Sequence, residues 1–326
     1  MRIVVSGSIA TDHLMSFPGR FTDQLIADQL AHISLSFLVD DLEVRRGGVA
    51  ANIAYGLGRL GLTPLLIGSV GFDFGPYEIW LKEHGVDTGA VRMSDTAQTA
   101  RFVCITDQDS NQIAAFYAGA MAEAREIDLA AATARERPDL VLVCANDPAA
   151  MLCHTRQAAS LGIPFAADPS QQLARLTGEE ATELVDGATW LFTNEYEAAL
   201  LAERTGRTRA DILASVGTWV TTLGERGVRM ERAGEPELLV PAVPCGHVTD
   251  PTGAGDGFRA GFLAAVAAGL PLVAAGRLGC AVAAAVLDIV GPQGYAADSG
   301  LLAERVRGAY GAAAVEELRP VLGRDA

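Results

Sequence analysis

The chain reads as an α/β protein, with a central, mostly parallel sheet covered by helices on both faces and a small antiparallel β lid. Three observations predict this. Short apolar runs alternate with helical patterns along the chain, half of the 326 residues are apolar, and two β-rich segments interrupt the alternation. A chain of this length buries a substantial core, in one large domain or a large domain with an appendage.

In chain order, the runs 3–6, 64–70, 140–144, 165–167, 189–192 and 219–223 are read as parallel strands, with helices between them. The first of these runs is too short for a signal peptide, so export is not indicated. Ligands of such sheets gather outside the carboxyl ends of the strands. The loops Ser6-Gly7-Ser8, Asp168-Pro169-Ser170, Thr193-Asn194 and Thr222-Leu223-Gly224 follow strands directly and are expected to line one crevice. Segment 33–44, and the pair 98–105 and 112–116 around a turn at Asp107-Gln108-Asp109-Ser110, carry β-rich runs. They are expected to form the lid from two separate pieces of chain. The expected division is therefore 1–10, 46–95 and 121–326 for the large α/β domain, and 11–45 and 96–120 for the lid. The uncharged stretch 260–276 approaches the length of a bilayer span, but it is rich in alanine and glycine and interrupted by Pro271. It is read as two packed helices.

Composition narrows the function. A net charge of -15 argues against nucleic acid or an anionic membrane as partner, because both demand basic surface. Five cysteines, an odd number with no C-x-x-C pair, suit a reducing cytoplasm. The histidines His13, His32, His84, His154 and His247 show no metal-ligand spacing.

Asp250-Pro251-Thr252-Gly253-Ala254-Gly255-Asp256 ahead of an apolar helical run carries the chemistry. Gly253 and Gly255 let successive N–H groups point one way, and a helix start adds its positive dipole end, so the segment favours a phosphate oxygen. Asp256, in the same first turn, is placed to take a proton from a substrate hydroxyl. A plain helix cap competes with this reading. No G-x-x-x-x-G-K-S/T occurs, and the spacing of Gly253, Gly255 and Phe258 fails the dinucleotide pattern. A second glycine pair, Gly47-Gly48, precedes a helix that carries Asn52 and runs to Leu60.

These motifs together resemble the ribokinase-like, PfkB-type family of sugar and nucleoside kinases, over essentially the whole chain. Gly47-Gly48 with Asn52 match its N-terminal signature, Asn194-Glu195-Tyr196-Glu197 its N-x-x-E motif, Thr222-Leu223-Gly224 its nucleotide loop, and Asp250 to Asp256 its C-terminal signature. The segments 7–13, 34–40 and 168–175 look like the actinobacterial adenosine kinases within that family. Pro251 stands where many members carry threonine.

The resemblance implies a ribokinase-like fold and an ATP-dependent adenosine kinase, cytoplasmic and acting with Mg²⁺. A sugar kinase and a non-catalytic nucleoside sensor stand as alternatives. It makes Asp256 the base and the amides of Gly253, Ala254 and Gly255 the stabilisers of the transferring charge. It places Asp12, Gly48 and Asn52 at the ribose, and Phe102 and Phe116 against the purine, although lone strand phenylalanines are usually core. Ser8, Ser36, Gln171 and Gln172 are candidates for base or ribose hydrogen bonds, each equally able to satisfy nearby backbone. Arg175, Asn194, Thr222, Gly224, Gly253 and Gly255 are expected along ATP. Asn194 and Glu197 are expected to organise Mg²⁺ through water, unless they only cap the helix that follows. Carbonyls of Asp250 and Thr252, with the 289–294 loop, form a candidate K⁺ site. Exposed lid strands in such proteins pair into dimers, so a homodimer through the lid is expected.

Overall fold

The computed structural model describes residues 1–25, 32 and 34–323. Its strands, in chain order, are β1 (Ile3–Ser6), β2 (Ala10–Ser16), β3 (Asp41–Gly47), β4 (Leu65–Ile67), β5 (Ser69–Val70), β6 (Arg92–Met93) and β7 (Ala100–Thr106). They continue as β8 (Gln112–Tyr117), β9 (Leu140–Cys144), β10 (Phe165–Asp168), β11 (Trp190–Asn194), β12 (Thr218–Thr222), β13 (Val228–Glu231) and β14 (Leu238–Val240).

Among the described residues the main sheet has eight strands in the order β14-β13-β12-β11-β10-β9-β1-β4. From β4 to β12 every pairing is parallel, and only β13 and β14 run antiparallel at one edge. Alternate strand residues feed two separate cores. Ile3, Val5 and Leu142 pack with the helices Val49–Arg59, Ala254–Ala267 and Leu272–Leu287 on one face. Val4, Val141 and Val143 pack with Pro148–Ser160, Gly178–Val185 and Glu195–Thr205 on the other. Strands buried on both faces are mostly apolar on both, and this is why Ile3 to Val5 of β1 and all of β9 read as continuous runs rather than alternations. The long uncharged stretch resolves into parts of two helices that meet at Pro271. Among the described residues no helix is long and apolar enough to cross a membrane.

The small sheet has the order β3-β2-β7-β8. Its outer pairs are antiparallel, while β2 and β7 run parallel in the middle. Two expectations change here. The strand expected over 33–44 begins only at Asp41, because β2 pairs residue by residue with Asp41 to Gly47 and 34–39 have no partner strand; Ile33 lies outside the described residues. The run at 64–70 splits into β4, on the main sheet, and β5, which leaves it to pair with β6.

Candidate active site

The site lies where the carboxyl ends of the central strands meet the start of helix Ala254–Ala267. Gly253 is the cap of that helix, in the left-handed region at φ 80°, where a side chain would be strained. A Cβ there would also meet Pro292 Cβ at 2.4 Å, so the loop around Pro292 sits directly against the turn. The Ala254 N–H makes only a long 3.3 Å bond to the Pro251 carbonyl. The N–H groups of Gly253, Gly255 and Asp256 have no acceptor among the described residues. A helix start with unanswered donors attracts an anion.

Asp256 does not cap its helix. Its carboxylate accepts instead from Asn52 Nδ2 at 2.8 Å. Burial pushes the Asp256 carboxyl up to about 7, against the pull of Arg259 and the bond from Asn52. One turn deeper, Arg259 Nη2 donates to Asp168 Oδ1 at 2.6 Å, in a pair that is almost wholly buried. Burial pushes the Asp168 carboxyl up to about 6, opposed by Arg259. The guanidinium lies under the turn itself, since a Cβ on Gly255 would stand 2.8 Å from Arg259 Nη1. A full positive charge is therefore built in beneath the open amides, with Glu197 also in its field.

The small sheet supplies the opposite wall. Pairing sets Arg45, Asp12, Phe102 and Phe116 side by side across the four strands, so they share one face. From that face Arg45 Nη1 reaches Asp250 Oδ2 at 3.3 Å, at the head of the glycine turn. Asp250 also accepts from the N–H groups of Thr252 and Gly291, both at 2.9 Å. Burial works against the charge of Asp250, but these bonds and Arg45 hold its carboxyl below the usual range. Burial raises the Asp12 carboxyl, with Arg45 opposing and Asp250 adding to the rise. Gly48, at φ 93°, lets the chain turn from β3 into helix Val49–Arg59 with bare backbone against Ser8 and Ala10.

Asn194 and Thr222 are register partners at the ends of β11 and β12, and Gly224 opens the exposed turn that follows. Asn194 and Glu197 form a reciprocal capping box, Glu197 N–H to Asn194 Oδ1 at 2.8 Å and Asn194 N–H to Glu197 Oε2 at 2.7 Å. Ser8 Oγ accepts the Val49 N–H at 3.0 Å, so it is engaged with the helix start. Gln172 is buried with Oε1 unpartnered. Gln171 accepts from Ser170 Oγ at 2.6 Å and is exposed, as is Arg175. Ser36 is exposed and has no hydrogen bond among the described residues, so it is not drawn into this constellation.

A profile of the pfkB family carbohydrate kinases matches residues 13–297. The chain belongs to that family. As a pfkB-family kinase it is a phosphotransferase acting on a hydroxyl group of a nucleoside or sugar. It is 34% identical to the ligand-free nucleoside kinase of Burkholderia thailandensis, covering 94% of this chain and 100% of that one with a TM-score of 0.85. It is 31% identical over 250 residues to a nucleoside kinase of Methanocaldococcus jannaschii, spanning 76% of this chain and 80% of that protein. A ribokinase of Bacillus subtilis is 30% identical over 76% of this chain and 83% of its own length.

The pfkB signatures account for Asn52 and Asp256 but not for the groups that hold them. The sequence places Asp168 in a crevice-lining loop without naming its partner, and assigns no role to Arg259, Tyr77, Trp80 or Gln293. Arg259 carried a readable signal: an arginine three residues after Asp256, inside an apolar helix, shares its face. Gln293, Tyr77 and Trp80 carried none, because their meeting depends on the fold.

Proposed function

We propose that this kinase transfers the γ-phosphoryl group of ATP to the 5′-hydroxyl of a purine nucleoside, with adenosine the preferred acceptor, giving AMP and ADP. The observation that carries the reading is the convergence of the Asp256 carboxylate with the unanswered amides of Gly253 and Gly255 at one helix start. In this reading Asp12, Gly48 and Asn52 hold the ribose so that its hydroxyl meets Asp256, which takes the proton as the oxygen attacks phosphorus. The amides of Gly253, Ala254 and Gly255, with Arg259 behind them, stabilise the charge on the transferring group. The Ala254 N–H, already turned to Pro251, contributes least. Phe102 and Phe116 cover the base and exclude water when the small sheet closes. Ser8, Ser36, Gln171 and Gln172 are subsidiary contacts, and closure has to carry Ser36 inward.

Arg175, Thr222 and Gly224 border the ATP. Asn194 and Glu197 are tied to each other in the capping box, and among the described residues no group of three or more acidic, histidine or cysteine side chains is arranged to hold a metal. An all-oxygen set that offers few direct ligands fits Mg²⁺, which keeps several of its waters; Asn194 and Glu197 would hold those waters. Bound Mg²⁺ neutralises phosphate charge. A potassium ion on the carbonyls of Asp250 and Thr252 suits a turn that the Asp250 side chain ties to Gly291. Leu42, Val44 and Ile113 are exposed on the face of the small sheet away from Arg45, which supports a homodimer formed through it.

The test is an acceptor screen that follows ADP release from MgATP with adenosine, inosine, guanosine, ribose and fructose. Adenosine is expected to give the highest kcat/KM. The Burkholderia relative solved with inosine, 33% identical to this chain, favours inosine as the second reading. Inosine in first place would keep the nucleoside and change the base; ribose in first place would overturn the reading.

A further inference from the structure

Trp80, Gln293 and Tyr77 form a chain of hydrogen bonds behind Asn52 whose direction is fixed by chemistry. An indole N–H can only donate. Trp80 Nε1 donates to Gln293 Oε1 at 3.0 Å, so the amide nitrogen of Gln293 must face the other way. From there Nε2 donates to Asn52 Oδ1 at 2.9 Å and to the Tyr77 hydroxyl at 2.6 Å. Tyr77, having accepted, donates onward to the Gly47 carbonyl at 2.9 Å. With its carbonyl engaged, Asn52 has only its amide nitrogen left for Asp256. Turning either amide over would set two donors or two acceptors face to face. The indole is itself held, with Arg46 4.3 Å above its ring and Tyr55 stacked at 6.0 Å.

We propose that Trp80 and Gln293 are positioning residues: the indole sets the facing of the Gln293 amide, Gln293 sets that of Asn52, and Asn52 thereby presents an N–H to Asp256. This rests on the reading of Asp256 as the base. The bond to one oxygen favours the ionised carboxylate and leaves the other oxygen to take the substrate proton. A reversed Asn52 would turn its carbonyl on the carboxylate and favour the protonated form. The charged and titratable groups around Asp256 are Arg259 on its own helix, Asp168 at the end of β10 and Glu197 on the helix after β11. Tyr77, Tyr295 and the Cys144 thiol also feel its charge. Burial holds those three protonated through the neutral range.

Two readouts test the arrangement. In ¹⁵N-labelled protein, the Trp80 indole resonance, assigned by its loss in Trp80→Phe, is expected to move with pH at the same midpoint as the acid limb of the kcat profile. That movement should vanish in Asp256→Asn and be broken in Gln293→Met, which keeps the side-chain length. In Gln293→Met the acid limb should rise by about one pH unit, with the melting curve still cooperative. Trp80→Phe should move the limb the same way, and serves if Gln293→Met fails to fold. An indole signal that is flat from about pH 5 to about pH 9, or that titrates unchanged in Asp256→Asn, overturns the proposal. So does an acid limb that stays in place while stability alone falls. Full turnover in Asp256→Asn would instead remove the base assignment, and the indole titration would still judge the hydrogen-bond chain on its own.

Discussion

The two sides of the candidate site are built by opposite rules. On the helix-start side, Asp256 is itself only partly buried, but beneath it Arg259 and Asp168 are stacked into the core, and the Asp168 side chain is 0% exposed. On the small-sheet side, Asp12 and Phe102 are half-buried, Phe116 is 53% exposed, and Arg45 to Asp250 is an ion pair between that wall and the glycine turn. Charges taken out of water are costly and strongly coupled, whereas those at a wet sheet face are screened. In the proposed reading, proton transfer is thus prepared above a buried ion pair, and recognition on a face where water is displaced as the ligand arrives.

Replacing the proposed base tests the helix-start side most severely. Asp256→Asn is expected to lower kcat roughly a thousandfold while raising the melting temperature at pH 8. The sign follows from linkage: the carboxyl titrates near 4 when unfolded and is held up to about 7 when folded. Its cost to the fold therefore develops as pH rises between those values and is complete above them. A calorimetric scan checks it, and an unchanged or lower melting temperature would contradict the burial argument. In the parent enzyme kcat should fall on the acid side of about 7.

Arg259→Met comes next, because it leaves Asp168 buried without its partner. A loss of about 3 kcal/mol is expected in urea unfolding, with part of it recovered in the double variant Arg259→Met/Asp168→Leu. Equal stability of the single and double variants would show that the pair is not coupled.

On the wet wall the effects should fall on substrate affinity. Phe116→Ala and Phe102→Ala are expected to raise the nucleoside KM up to about tenfold, with kcat at saturation and melting temperature nearly unchanged. A fall in kcat alone would place these rings outside the base pocket. The smallest effect belongs to Arg45→Ala, about 0.5 kcal/mol for a partly exposed pair. It should appear as a modest rise in KM that shrinks with added salt.

The same contrast explains what could be read from the sequence. The glycine turn announces itself because an anion seat at a helix start, as proposed here, needs glycine at fixed offsets, and Asp256 and Asn52 stand out through the family signatures they match. The parallel strands announce themselves because burial on both faces leaves runs such as Leu140 to Cys144 without a polar residue. The start of β3 at Asp41 was not legible, since the pairing with β2 decides it. Asn194-Glu195-Tyr196-Glu197 fits a capping box and a metal motif equally well, and the structure displays the cap. Gln293 lies far along the chain from Asn52 and carries no spacing that could have linked them.

Gly253 has a further meaning for how the molecule can change over generations. Its backbone angle excludes most side chains, and Pro292 closes the space a first carbon would need. Any substitution there therefore meets two obstacles at once, so a neighbouring functional sequence is more than one mutational step away. The cross-strand row from Arg45 to Phe116 has no such lock. New acceptor preferences should accordingly emerge by single changes on that face, with the proposed phosphate seat inherited unaltered.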